Sequence, residues 1–174
     1  MLGLGKEAKL LRATALSPHK KSGRTPISKQ ELGRFGEEKV VEKCRCPKCK
    51  RTNKSLVRLP NNFKCADIVC DFCGFLGQVK ATRVLNINQL PKRILGAAWR
   101  PQEERMQAGI YFPLFLVMVG SSKHEHSIFY LSADLQIPEM FKQRAPLSAT
   151  ARRAGWTGFI YDVDIVRECF VRLF

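Results

Sequence analysis

From Ser28 to Lys43 the apolar residues Leu32, Phe35 and Val40 fall on one helical face among charged neighbours, which predicts a helix over 28–43. Ser28 and Glu31 have capping-box spacing, so the helix starts sharply there. The pattern then shortens to a period of two. "SLVRL" (55–59), "FKCADIV" (63–69) and "FLGQVKAT" (75–82) predict short strands, and alternation in the last sends Gln78 and Lys80 to the same face. "NQLPKRILGAAWRPQEERMQAG" (88–109) reads as one or two helices broken at Pro91 and Pro101, with Leu95, Trp99 and Arg100 near the middle. Strands follow at about 110–119 and 127–132, then a short helix near "IPEMF" (137–141). "SATARRAGWTG" predicts a turn of helix from Ser148 closed by Gly155, leading into a strand "FIYDVDI". The final "VRECFVRLF" fits strand or helix. Helices alternating with strands, some of them adjacent, predict an α/β sandwich around a mixed sheet flanked by helices.

With 174 residues the chain suits one α/β core, or a small core with a metal-bound insert. The longest apolar run, "GIYFPLFLVMVG" (109–120), is too short to cross a bilayer and carries Pro113, so it reads as a buried strand. The N-terminal stretch has no compact apolar segment after a basic start, which argues against a secretory signal and for a cytosolic protein. Charge sharpens the picture. The formal net charge of +15 favours a polyanionic partner, most simply nucleic acid, because every phosphate contact releases counterions. Part of that charge sits in residues 1–27, where Lys6, Lys9, Arg12, Lys20, Lys21 and Arg24 face Glu7 alone. With its Ser, Pro and Gly, this segment predicts a mobile basic arm ahead of a folded domain at 28–174.

Seven cysteines in a cytosolic chain argue for metal ligation rather than a disulfide framework. Cys46 and Cys49 in "CPKC" and Cys70 and Cys73 in "CDFC" are two chelating pairs separated by twenty residues. The two-residue spacing wraps neighbouring thiolates around one tetrahedral ion, and the loop brings the second pair back to the first. These four predict a structural zinc within an element at about 44–74. Cys44 is an alternative ligand, while Cys65 and Cys169 fit apolar patterns and read as buried thiols. Four thiolates leave no position for water, so the zinc is a staple rather than a catalyst. His19, His124 and His126 lie in polar segments and receive no role.

Ten residues separate Asp67 from Gln78, enough for a hairpin with the second cysteine pair at its tip. Its two strands would then present Asp67, Gln78 and Lys80 together. Oxygen ligands for a hard cation, with a neighbouring ammonium, are what metal-dependent phosphodiester hydrolysis requires. Read alone, an Asp followed by Gln-x-Lys is also what a solvated strand face produces.

The two Cys-x-x-Cys pairs flanking "CADIVC", the strand "GQVKA", the run "YFPLFLVMV" and above all "APLSATARRAGWTGFIYDV" resemble the PD-(D/E)XK nucleases. The likeness is specifically to the catalytic domain of DpnI-like, methyl-directed restriction endonucleases, and it covers about 44–165. It implies a restriction-endonuclease-like fold with the zinc element embedded in it, and a magnesium-dependent endonuclease acting on double-stranded DNA. On this resemblance the motif aspartate is Asp67 and the motif lysine Lys80, with the Val79 carbonyl sharing the metal. Gln78 stands where the family usually has Glu, an oxygen donor without charge. Glu37 resembles a first-helix glutamate that many such nucleases add to the site. The family's winged-helix domain has no room in a chain of this length, so methyl specificity is not carried over. Arg152 and Arg153 could grip phosphate or pair with buried carboxylates. The rival reading is a zinc-containing DNA-binding protein of nuclease fold that has lost activity, and Gln78 is the feature that separates the two.

Overall fold

The computed structural model describes residues 28–174 apart from 54, 62, 64 and 123, so the expected basic arm lies outside the described residues. Helix α1 (Lys29–Lys43) starts at the capping box. Glu31 N–H donates to Ser28 Oγ (3.2 Å) and Ser28 N–H donates to Glu31 Oε2 (2.8 Å). Its buried residues Phe35, Gly36 and Val40 face a six-stranded sheet. That sheet contains β1 (Leu56–Arg58), β2 (Ile68–Cys70), β3 (Leu76–Arg83), β5 (Leu114–Val119), β6 (His126–Leu131) and β9 (Val171–Arg172), in the order β1-β2-β3-β5-β6-β9. Among the described residues only β3 and β5 run parallel. The chain between them makes the long crossover that a parallel pair requires.

Strand β5 is buried along its whole length, as a central strand covered on both faces must be. Phe115, Val117 and Val119 join Val79, Phe35 and Val40 on the α1 face. Leu114, Leu116 and Met118 pack on the other face against Phe141, Phe159 and Tyr161. These three aromatics belong to a second, antiparallel sheet of β4 (Arg93–Ala98), β8 (Gly158–Asp162) and β7 (Phe141–Gln143), ordered β4-β8-β7. One face of the main sheet is therefore covered by a helix and the other largely by a small sheet.

The crossover differs from its periodicity. Residues 93–98 form β4, not helix, because they pair with β8 from Arg93↔Asp162 to Ala98↔Gly158, and Gly96 lets the Phe159 ring lie directly on the backbone. Helix α2 (Trp99–Gln107) begins only afterwards, with Pro101 in its first turn, where the missing N–H has no helical partner to lose. Strand β2 is also shorter than predicted, since Cys65 adopts a left-handed φ of 69° just before it. "IPEMF" becomes a 3-10 turn at Pro138–Met140, and the last segment resolves into 3-10 turns (Val163–Cys169) followed by β9.

Helix α1 reaches the sheet through Gly36. A Cβ there would lie 2.8 Å from Ala81 Cβ, an atom with no rotamer in which to retreat. Gly36→Val is expected to force α1 off β3 and cost about 1–3 kcal/mol in urea denaturation. Gly33→Ala on the same helix meets nothing within 4 Å and should stabilise by about 0.5–1 kcal/mol.

Candidate active site and four-cysteine cluster

The β2–β3 hairpin closes at the second cysteine pair. Cys70 ends β2, Gly74 N–H returns to the Cys70 carbonyl (3.0 Å) with a φ of 68°, and Cys70 N–H donates to the Phe75 carbonyl (2.8 Å). Cys46 and Cys49 come up from the C-terminal end of α1, and the four Sγ atoms lie within 4.8 Å of one another. Cys46 and Cys73 are 3.6 Å apart, and Cys49 and Cys70 are 3.8 Å apart. A tetrahedral zinc with Zn–S bonds of about 2.3 Å places its sulfurs about 3.8 Å apart, so this donor set could hold one zinc ion.

The thiols differ in electrostatics. Burial pushes Cys46 up to about 12. Burial also opposes ionisation of Cys70, but the Ser55 hydroxyl 3.2 Å away and the Cys73 and Phe72 backbone groups outweigh it and bring this thiol down to about 6. Ser55 is a partner that sequence spacing did not reveal. Cys44 is buried outside the cluster, and burial pushes its thiol up to about 11. Cys65 and Cys169 are partly exposed rather than buried.

The same hairpin positions Asp67. Ile68 pairs with Gly77, so the residue before the strand lies opposite Gln78, and Asp67 N–H donates to the Gly77 carbonyl (2.9 Å). Gln78 N–H turns toward β5 and donates to the Pro113 carbonyl (2.8 Å). By strand alternation the Val79 N–H and carbonyl point the other way, past the end of β2. Asp67 Oδ2 fills that gap and accepts the Val79 N–H at 2.7 Å. One carboxylate oxygen of Asp67 is thereby fixed against the strand. Lys80 lies one alternation beyond Gln78 on the same face, partly exposed, with no ion pair or hydrogen bond among the described residues.

Gln78 is held from the second sheet. The hydroxyl of Tyr161, on β8, donates to Gln78 Oε1. Tyr161 is 1% exposed, and its hydroxyl is pushed well above the usual tyrosine range by burial and then by the charges of Asp67 and Cys65. Its proton therefore stays in place. No periodicity or motif pointed to Tyr161, because 83 residues separate it from Gln78 and only sheet packing brings them together.

Glu37 meets Asp67 across a cleft of about 730 Å³ that Arg34, Arg58, Asn61 and Phe63 also line. Its carboxylate is gripped by Arg58, whose Nε and Nη2 both lie 2.9 Å from Oε2. Arg152 and Arg153 are exposed, with no carboxylate partner among the described residues, so pairing with buried acids is not what they do. They lie in the β7–β8 connection, where 148–155 forms turns closed by the Gly155 N–H on the Leu147 carbonyl (3.0 Å). His126 is not in a polar setting. It is buried, stacked on Phe174 and set edge-on to Phe35.

Replacing Cys70 by Ser removes one of the four sulfurs while keeping the backbone hydrogen bonds that close the hairpin. Cys70→Ser is expected to lose about one zinc per chain, and with it much of the roughly 10 kcal/mol that a structural zinc can contribute to folding. Metal content by mass spectrometry and a thermal melt check this, and full zinc retention would remove Cys70 from the ligand set.

The cysteine cluster closes the hairpin at one end, and at the other Asp67 lines the cleft it shares with Glu37. Among the described residues no helix is long and apolar enough to cross a membrane. The sequence profile of the Dam-replacing family, DpnI, matches residues 24–171, a span that takes in α1, the cluster, both sheets and the start of β9. The chain belongs to the DpnI (Dam-replacing) family, and is by that membership a protein related to the restriction endonucleases.

Proposed function

We propose that this protein is a magnesium-dependent endonuclease that hydrolyses phosphodiester bonds of double-stranded DNA. The observation that supports it most is Asp67, opposite Gln78 with one oxygen on the Val79 N–H, since this leaves its other carboxylate oxygen for a cation beside the strand that carries Gln78 and Lys80. Asp67 Oδ1, Gln78 Oε1 and the Val79 carbonyl would hold the cation. Carboxylate, amide and backbone oxygens suit a hard ion, which usually keeps several waters besides. When bound, magnesium would supply Lewis-acid stabilisation of the phosphate and acidify a coordinated water. Lys80 contributes a point charge for the scissile phosphate and a donor that orients the attacking water. Glu37, across the cleft, adds negative charge, and Arg58 holds it in place.

A strongly basic surface supports DNA as the substrate. Residues 144–158 carry Arg144, Arg152 and Arg153 and no Asp or Glu, and all three cations are exposed. The family supports the same partner. A catalytically impaired DNA-binding protein is the second reading, and one observation favours it. Gln78 brings an amide oxygen, and so no charge, to the proposed metal site.

The zinc-loaded protein, incubated with supercoiled plasmid in magnesium or chelator, separates the two. Cleavage in magnesium alone is expected, and Asp67→Ala should reduce it by at least about a hundred-fold while DNA affinity stays within about three-fold, since the removed group binds metal and not phosphate. Equal cleavage by Asp67→Ala would remove the site assignment. Binding without cleavage by the unaltered chain would favour the second reading. For the basic segment, Arg152→Ala with Arg153→Ala should lower the slope of log affinity against log salt by roughly one to two, about one for each phosphate no longer neutralised. An unchanged slope would place the DNA elsewhere.

A further inference from the structure

The side-chain amide of Gln78 has two unlike ends. Its oxygen can bind a cation, while its NH₂ group repels one. A glutamate at this position has no such handedness, because either carboxylate oxygen serves. A metal site built on glutamine therefore needs something to hold the amide oxygen toward the ion, and the chain carries a group suited to that task. Tyr161 rises from β8 in the second sheet, wholly buried against Phe141 and Phe159, with ring centroids 5.2 and 4.9 Å from theirs. The packing fixes the ring, and its hydroxyl donates to Gln78 Oε1.

We infer that Tyr161 is a positioning residue that fixes the Gln78 amide oxygen-first toward the metal gap and so makes an uncharged side chain serve as a metal ligand. This inference rests on the proposed nuclease site. The geometry permits both interactions at once, since an amide oxygen has two lone pairs. One takes the phenolic proton and the other remains for a cation. A phenol hydroxyl also discriminates between the two ends. Its single proton must be donated, and donation selects oxygen over NH₂. The backbone adds a second constraint, because Gln78 N–H is tied to the Pro113 carbonyl at 2.8 Å, and only the side-chain torsions remain to be set. Gln78, Tyr161 and Pro113 thus come from three separate strands or strand ends, and the small sheet acquires a role beyond covering the core.

The test is a double-mutant cycle read by metal binding. Mn²⁺ bound to the zinc-loaded protein is titrated by electron paramagnetic resonance, with magnesium-dependent cleavage as a second readout. Tyr161→Phe keeps the ring and its packing and removes only the hydroxyl. In the Gln78 background it is expected to weaken Mn²⁺ binding on the order of five-fold, the factor that one neutral hydrogen bond corresponds to. The half-maximal magnesium concentration should shift equally. In a Gln78→Glu background the same Tyr161→Phe change should not weaken binding, because a carboxylate has no wrong end to present. That difference between backgrounds is what a purely structural role would not produce.

Equal weakening in both backgrounds would show that Tyr161 acts through packing, and no weakening in either would show that the amide orients itself. Both overturn the inference. Failure of the underlying reading looks different. If Gln78→Ala leaves Mn²⁺ binding intact while Asp67→Ala abolishes it, Gln78 is not a ligand. If neither variant alters Mn²⁺ binding, the metal site is not at this hairpin.

Discussion

The register of the β2–β3 hairpin is the constraint on which the rest depends. Because side chains alternate with a period of two, a slip of one residue would turn Gln78 and Lys80 away from the face they share and move Asp67 off the Val79 N–H. Such a short pairing, Ile68↔Gly77 and Val69↔Leu76, holds its register poorly by itself. What pins it is the turn at Cys70–Gly74, with its two backbone hydrogen bonds and left-handed glycine, set among four sulfurs drawn from both ends of a long loop. The cysteine cluster and the candidate active site are two ends of one device. At one end four sulfurs that could hold a zinc ion gather around the turn, and a few residues away the same strands carry Asp67 and Gln78.

A second constraint comes from β5. Buried on both faces, it forces the chain to supply two different covers, and each brings a side chain to the candidate site residues. The helical cover brings Glu37 and, through Gly36, sits close enough to the sheet for that carboxylate to share a cleft with Asp67. The sheet cover brings Tyr161 to Gln78. Neither meeting is local in sequence. Both are consequences of burying the same central strand.

The distribution of charge follows the same division. Among the described residues the acidic groups lining the cleft are three and each is engaged: Asp67 with the Val79 N–H, Glu37 with Arg58 and Glu31 with the Ser28 N–H. Cations on the β7–β8 connection, by contrast, stand in solvent without carboxylates in their own segment. A little negative charge in the cleft, inside a field that is positive overall, is an arrangement that would attract a polyanion, as the proposed function requires.

Much of this protein was legible in the residues alone, for one physical reason: the signals were local. The capping box at Ser28 and Glu31 set the start of α1, the Cys-x-x-Cys spacings found the cluster, and alternation placed Gln78 and Lys80 on one face. Length and pattern made β5 a buried strand. Tertiary structure decided whatever depended on a distant partner. Residues 93–98 have a helix-compatible composition yet became a strand, because pairing with β8 satisfies their backbone and Gly96 accommodates Phe159. His126 carries no apolar pattern of its own, and Phe35 and Phe174 buried it. Glu37 was visible as a candidate, but not its capture by Arg58. Tyr161 was invisible as a partner of Gln78. Spacing along a chain reports which side chains share a face of one element, whereas meeting across two sheets depends on how those sheets stack, and that is settled only when the core between them is packed.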